Sequence, residues 1–256
     1  GVEAQCATLA VPENRAAPGG RTIDLNIAVL PATGSSSVVE DDPLFLLAGG
    51  PGQAATEVYP SAAFLFEDVN RTRDIVLLDQ RGTGDSNGFD CPALENEDLP
   101  ADMPDDDLVA LLGECRVQLA EQADLTQYST DAFIDDLEDV RIALDYDAIN
   151  LHGVSYGTRA ALAYMRRHPE RVRSAVLDAV AGPDLVLFLQ MPRDGQRALD
   201  LLFDRCAQDA GCRAAFPNVR DEYDTLLARL EQPQPITVAN PLTNEPLAFQ
   251  LTRDRL

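Results

Sequence analysis

Ser155 stands between two glycines, in Gly153-Val154-Ser155-Tyr156-Gly157, at the end of an apolar run. A serine hydroxyl is a poor nucleophile. It becomes a good one when it is exposed, close to a base and faced by preorganised N–H donors. The G-x-S-x-G spacing belongs to a sharp strand-to-helix turn, where flanking glycines relieve crowding between the two elements. A helix starting near Tyr156 points its N-terminus at the same place, which favours a developing oxyanion. One oxyanion donor is then the N–H of the residue after the serine, Tyr156. The base must be a histidine, and the chain has two, His152 and His168. His152 lies on the strand three residues before Ser155 and cannot fold back onto it. His168 lies past the end of the following helix, about ten residues or roughly 15 Å away. Neither reads as the base.

Two more glycine-rich turns follow apolar runs: AGGPGQ at 48–53 and DQRGTGDS at 79–86. Ligands of open parallel sheets bind at the carboxyl ends of strands, so three separate loops converge on one edge. Gly49-Gly50-Pro51-Gly52 is the loop that supplies a second oxyanion donor, because glycine lets an amide approach a substrate carbonyl without a Cβ in the way. The Asp79-Gln80-Arg81 turn reads as a support for that loop, with Asp79 and Arg81 paired, rather than as a substrate contact. Asp178, at the end of the strand after the elbow helix, is a candidate to orient a histidine. A structural loop aspartate is the more ordinary reading. In the order Ser…Asp…His, both partners follow the nucleophile.

The elements that must position these loops alternate. CATLAVPEN and RTIDLNIAVL form a hairpin. DDPLFLLAGG, RTRDIVLLDQRGTG, YDAINLHGVSYG and RVRSAVLDAVAG each read as a strand running into a turn. Residues 105–121 and 130–145 have helical spacing, with Phe133, Leu137, Val140 and Leu144 on one face and acidic residues between them. TRAALAYMRRH is a helix ended by Pro169. Strands alternating with helices predict an α/β fold with a mostly parallel sheet. After Pro183 the character changes: residues 193–209 and 219–230 read as helices, and QPITVANP with EPLAFQLT as a small hairpin. There is no internal repeat and no low-complexity linker.

The 256 residues are enough for one large domain or a domain with a lid. The formal charge is −23, from 43 acidic residues against 20 basic ones, all of them arginine. Such a surface repels phosphate backbones and anionic lipid, which argues against nucleic-acid binding. The acidic runs VVEDDP, ENEDLPADMPDDD and IDDLEDV read as solvated loops and helix faces. No stretch approaches a membrane span. The opening GVEAQCATLA lacks a basic start and an apolar core, so it does not read as a signal peptide, and Gly1 reads as the start of a mature or trimmed chain. Of the five cysteines, Cys206 with Cys212 and Cys91 with Cys115 are placed to form local disulfides, leaving Cys6 odd. Paired cysteines fit an oxidising compartment, periplasmic or secreted, with free buried thiols as the alternative. No C-x-x-C pair or histidine cluster supports a zinc site, and no cofactor is implied.

With LLAGGPGQ, DIVLLDQRGTGDSN, INLHGVSYGTRAALAYMRRHPERVRSAVLD and the opening CATLAVPENR in order over most of residues 6–183, the chain resembles the α/β-hydrolase superfamily. More narrowly it resembles the proline iminopeptidase and tripeptidyl-aminopeptidase-like serine hydrolases. One departure is Ala48 before Gly49, where many iminopeptidases have histidine. The resemblance implies Ser155 as nucleophile and the Gly50 and Tyr156 amides as oxyanion hole. It implies residues 1–183 as the N-terminal part of the core and 184–256 as the start of a helical cap. It further implies a triad Asp and His beyond the cap, on last core strands expected to lie in a C-terminal segment or second chain. The implied substrate is a peptide with a free N-terminal amine, recognised by cap acids such as Asp184, Asp194, Asp200 or Asp204. A small ester cleaved by a carboxylesterase at the same site is the alternative. A non-catalytic hydrolase-fold binding protein is the reading from another class, and it predicts a degraded elbow.

Overall fold

The computed structural model describes residues 3–92, 94, 103–241 and 243–253. They divide into two compact units, Gly1–Asp184 and Leu185–Leu256.

In the first unit, β1 (Gln5–Pro12) and β2 (Thr22–Leu30) form the antiparallel hairpin. The four-residue strands β3 (Leu44–Leu47) and β4 (Ile75–Leu78) are buried at every position. Between them lie α1 (Ala55–Ala62), a 3₁₀ turn (Ala63–Phe66) and the single turn α2 (Glu67–Asn70), none of which the spacing of apolar residues announces. Then come α3 (Asp105–Gln122), α4 (Thr130–Ala143), β5 (Ile149–Val154), α5 (Tyr156–Arg167) and β6 (Val172–Asp178). The six strands form one sheet in the order β1-β2-β4-β3-β5-β6, with β4, β3, β5 and β6 parallel.

Alternation along the short strands sends side chains to two cores. Phe45, Leu47, Val76, Leu78, Ile149 and Leu151 pack against Phe133, Leu137 and Val140 of α4 and Ala160 and Tyr164 of α5. Leu44, Leu46, Ile75 and Leu77 face the other way, onto Tyr59 and Phe66. A fully buried side chain such as Leu137 contributes about 1.5–3 kcal/mol. That is why α4 and α5 hold their places behind the elbow. The oxygen of Ser129 caps α4 by accepting the Ala132 N–H at 3.3 Å. β6 is the open edge of the sheet among the described residues, and Val176 on it is 54 % exposed.

The acidic faces depart from expectation in two places. Asp136, in IDDLEDV, is fully buried rather than solvated. Asp42, in VVEDDP, is half-buried and bonds Asn150, Arg73 and Arg173. In both cases an arginine from another element replaces the water that the sequence pattern assumes. Most of the run ENEDLPADMPDDD lies outside the described residues, but its last three acids, Asp105–Asp107, open the first turn of α3, where the helix dipole favours negative charge.

The second unit contains α6 (Leu187–Gln208), α7 (Ala210–Ala215), α8 (Val219–Arg229) and the hairpin β7 (Gln234–Ala239) with β8 (Pro246–Leu251). α6 starts six residues earlier than its spacing predicts and runs through Pro192. Arg220 joins α8 to α6 by pairing with Asp200 at 2.6 Å and stacking on the Phe203 ring. The expected disulfides, Cys91–Cys115 and Cys206–Cys212, are both formed, and Cys6 is exposed and free. Among the described residues no helix is long and apolar enough to cross a membrane.

Candidate active site

Ser155 occupies the junction between β5 and α5 with φ 54° and ψ −118°. A side chain held there costs about 1–3 kcal/mol and persists only where its surroundings over-determine it. Those surroundings are visible. A Cβ on Gly153 would lie 2.5 Å from the Gly157 carbonyl oxygen, and one on Gly157 would run into the Leu47 carbonyl. The two glycines therefore let β5, α5 and the end of β3 close on one another. The Ser155 N–H donates to the Asp178 carbonyl at 2.9 Å, tying the elbow to the end of β6.

The GGPG loop leaves β3 directly beside the serine. A Cβ on Gly49 would lie 3.3 Å from the Ser155 Cβ and 3.0 Å from the Gln53 Oε1. Gly50 and Gly52 have φ of 103° and 112°, angles that side chains rarely adopt, with a cis Gly50–Pro51 bond between them. Tyr156 opens α5, so its N–H belongs to the first turn, which has no acceptor inside the helix.

The DQRG turn supports this arrangement, though not through the expected pair. Asp79 is fully buried and accepts from the Thr56 N–H at 2.9 Å, the Thr56 hydroxyl at 2.8 Å and the Asn26 amide at 2.8 Å. Thr56 lies in the first turn of α1, just after the GGPG loop. Arg81 points elsewhere: its guanidinium forms a two-pronged bond with Asp136 on α4, both contacts at 2.6 Å, and donates to the Glu13 and Gln127 carbonyls. The Asp79–Arg81 pairing is thus replaced by two separate anchors, because Asp79 already has three donors and the buried Asp136 needs a cation. Gln80 reaches the Tyr156 hydroxyl at 3.4 Å, and that hydroxyl also bonds Thr130 on α4 at 2.8 Å.

His152 packs its ring edge-on against Phe66, with centroids 5.1 Å apart, and its Nδ1 is buried. Burial lowers its pKa, partly offset by Asp178. His168 caps the far end of the twelve-residue α5, about 18 Å of helix from Ser155, against the Tyr164 ring. Asp178 lies beside the elbow through its backbone. The sequence missed Asn26, Thr56, Thr130, Asp136 and Thr158. Only Thr158 had a local signal, a hydroxyl three residues after the serine.

The matching of residues 42–248 by the model of the alpha/beta hydrolase fold decides the family. The chain belongs to the α/β-hydrolase fold family. Among its relatives, the serine protease Hip1 of Mycobacterium tuberculosis is 27% identical, over 93% of this chain and 48% of that protein. The tripeptidyl aminopeptidase of Streptomyces coelicolor is 28% identical over 70% of this chain and 35% of its own. A proline iminopeptidase of Xylella fastidiosa is 30% identical over 54% and 32%. This α/β-hydrolase chain spans about half the length of the mycobacterial relative and about a third of the other two.

Proposed function

We propose that this protein is a serine hydrolase of the aminopeptidase type, acting through an acyl-serine intermediate. The observation that carries the reading is the backbone of Ser155, held at positive φ with the GGPG loop packed against it. In this reading Ser155 Oγ attacks the scissile carbonyl carbon while its proton passes to a histidine. The tetrahedral oxyanion takes the Gly50 and Tyr156 N–H groups. Collapse breaks the C–N bond, the amine leaves with the proton, and water then hydrolyses the acyl-serine. Gly49, Pro51 and Gly52 shape the oxyanion loop, and Asp79, Gln80 and Arg81 hold it from behind.

The placement of His152 and His168 supports a base, with its orienting Asp, contributed by a C-terminal segment or a second chain. The open edge at β6 is where further core strands would join, and the second unit, residues 185–256, would be the start of a cap. Relatives named as protease and aminopeptidases favour peptides over esters. Of the cap acids, Asp200 pairs with Arg220 at 2.6 Å and Asp194 with Arg193 at 3.4 Å, and none is singled out for a substrate amine. The two disulfides support a periplasmic or secreted location.

The test is the intact mass of the native protein, denatured and non-reduced, with labelling by a fluorophosphonate. Labelling of Ser155 with a completing polypeptide present is the expected result, followed by turnover of peptide anilides that carry a free N-terminal amine. Failure of the native protein to label overturns the acyl-serine reading. Turnover of aryl esters with none of peptide anilides turns it to a carboxylesterase.

A further inference from the structure

The segment that leaves β6 touches the elbow at three points. The Asp178 carbonyl accepts the Ser155 N–H at 2.9 Å. The Ala181 N–H donates to the Thr158 hydroxyl at 2.8 Å, and that hydroxyl donates to the Ser155 carbonyl at 2.6 Å. The Gly182 carbonyl accepts from the Arg159 guanidinium at 2.8 Å. Thr158 has no exposed surface. Its own N–H also goes to the Ser155 carbonyl, at 3.0 Å.

A threonine near a helix start often bonds back to a carbonyl of the preceding turn, and such a bond alone has little consequence. Here the same oxygen also satisfies a donor from another element. The N–H and C=O of Ser155 are thereby both held by residues 178–181, one directly and the other through the Thr158 hydroxyl. Ala179, inside this segment, has φ 53°. The hydroxyl therefore joins Ser155 to Ala181, two residues beyond the second left-handed residue, Ala179.

We propose that Thr158 is a positioning residue for the nucleophile: its hydroxyl holds the Ser155 backbone in the attacking geometry by coupling it to the 178–182 segment. This rests on the acyl-serine reading above. Small displacements of an aligned nucleophile cost rate more than binding, so the effect falls on the chemical step.

The experiment measures phosphonylation of the native protein by a fluorophosphonate, separating the maximal inactivation rate from the half-saturating probe concentration. Thr158→Val keeps the shape and removes the hydroxyl. The maximal rate is expected to fall about tenfold or more, with half-saturation unchanged. Thr158→Ser keeps the hydroxyl and is expected to restore the rate to within about threefold. Should the valine variant not fold, Thr158→Cys carries the same expectation as valine, because its thiol fills the same place and bonds weakly. Equal maximal rates for the parent and the hydroxyl-free variant overturn the role of Thr158 and leave Ser155 as nucleophile. So does a serine variant as slow as valine, since volume rather than the hydroxyl would then matter. No labelling of the parent overturns the nucleophile reading, and this proposal with it.

Discussion

The Asp79 carboxylate accepts both the backbone N–H and the hydroxyl of Thr56, at 2.9 and 2.8 Å, and so joins the turn after β4 to the helix after the GGPG loop. Neither residue touches Ser155. Together they fix the loop that does.

Asp79→Ala strands three donors at once, those of Thr56 and Asn26. Each unsatisfied buried group costs about 1–3 kcal/mol, so the variant is expected to lose at least 2 kcal/mol or so. Urea denaturation measures that loss. Phosphonylation of Ser155 should slow as well, because the GGPG loop beside the serine loses its anchor. A denaturation midpoint equal to the parent's would mean that water satisfies the donors.

Gly157→Ala pushes a methyl into the Leu47 carbonyl, a backbone group that cannot swing aside. Overpacking of this kind costs about 1–3 kcal/mol, and here the strain falls on the elbow itself. Labelling should drop by far more than stability. A substitution at Gly195, whose Cβ would meet nothing within 4 Å, is the control and should change neither.

Asp136→Asn leaves the Arg81 guanidinium buried and uncompensated. Breaking a buried pair on one side costs about 3–5 kcal/mol. Arg81→Lys is expected to be nearly as damaging, because an ammonium cannot reproduce the two-pronged contact. Thermal melts of both variants check this. A melting temperature within a degree or two of the parent would show that the pair is not what holds the DQRG turn to α4.

His152 is expected to be inert in chemistry and visible in stability. Burial lowers its folded pKa below the ordinary histidine value of about 6.5, so the folded state binds fewer protons than the unfolded chain. Its contribution is present above about pH 6.5 and is lost as pH falls through that value toward the lower folded one. His152→Gln should flatten the slope of stability between about pH 6.5 and the folded pKa, with Ser155 still labelled. Loss of labelling at neutral pH in a folded variant would make His152 a participant after all.

The elbow was legible because its chemistry is local. Glycine on both sides of a serine, after an apolar strand and before a helix, leaves few backbone solutions, and Ser155 takes the one at positive φ. The same holds for the GGPG loop and for the two disulfides, whose partners lie 24 and 6 residues apart. The supports were not legible. Arg81 meets Asp136 across 55 residues, and Asp136 looked like any solvent-facing acid of an amphipathic helix. Asp79 meets Asn26 across 53 residues, with nothing in either neighbourhood to pair them.

By itself, then, the order of the residues determined the strand-turn-helix units and the three loops at one sheet edge, and it set the expectation that neither histidine is the base. Backbone sterics and hydrophobic period act over a few residues, and these features need nothing more. Tertiary structure alone decided which carboxylate serves which loop and which segment the Thr158 hydroxyl holds against the elbow. A buried polar group takes whatever partner the packed elements bring within about 3 Å, and sequence distance carries no trace of that choice.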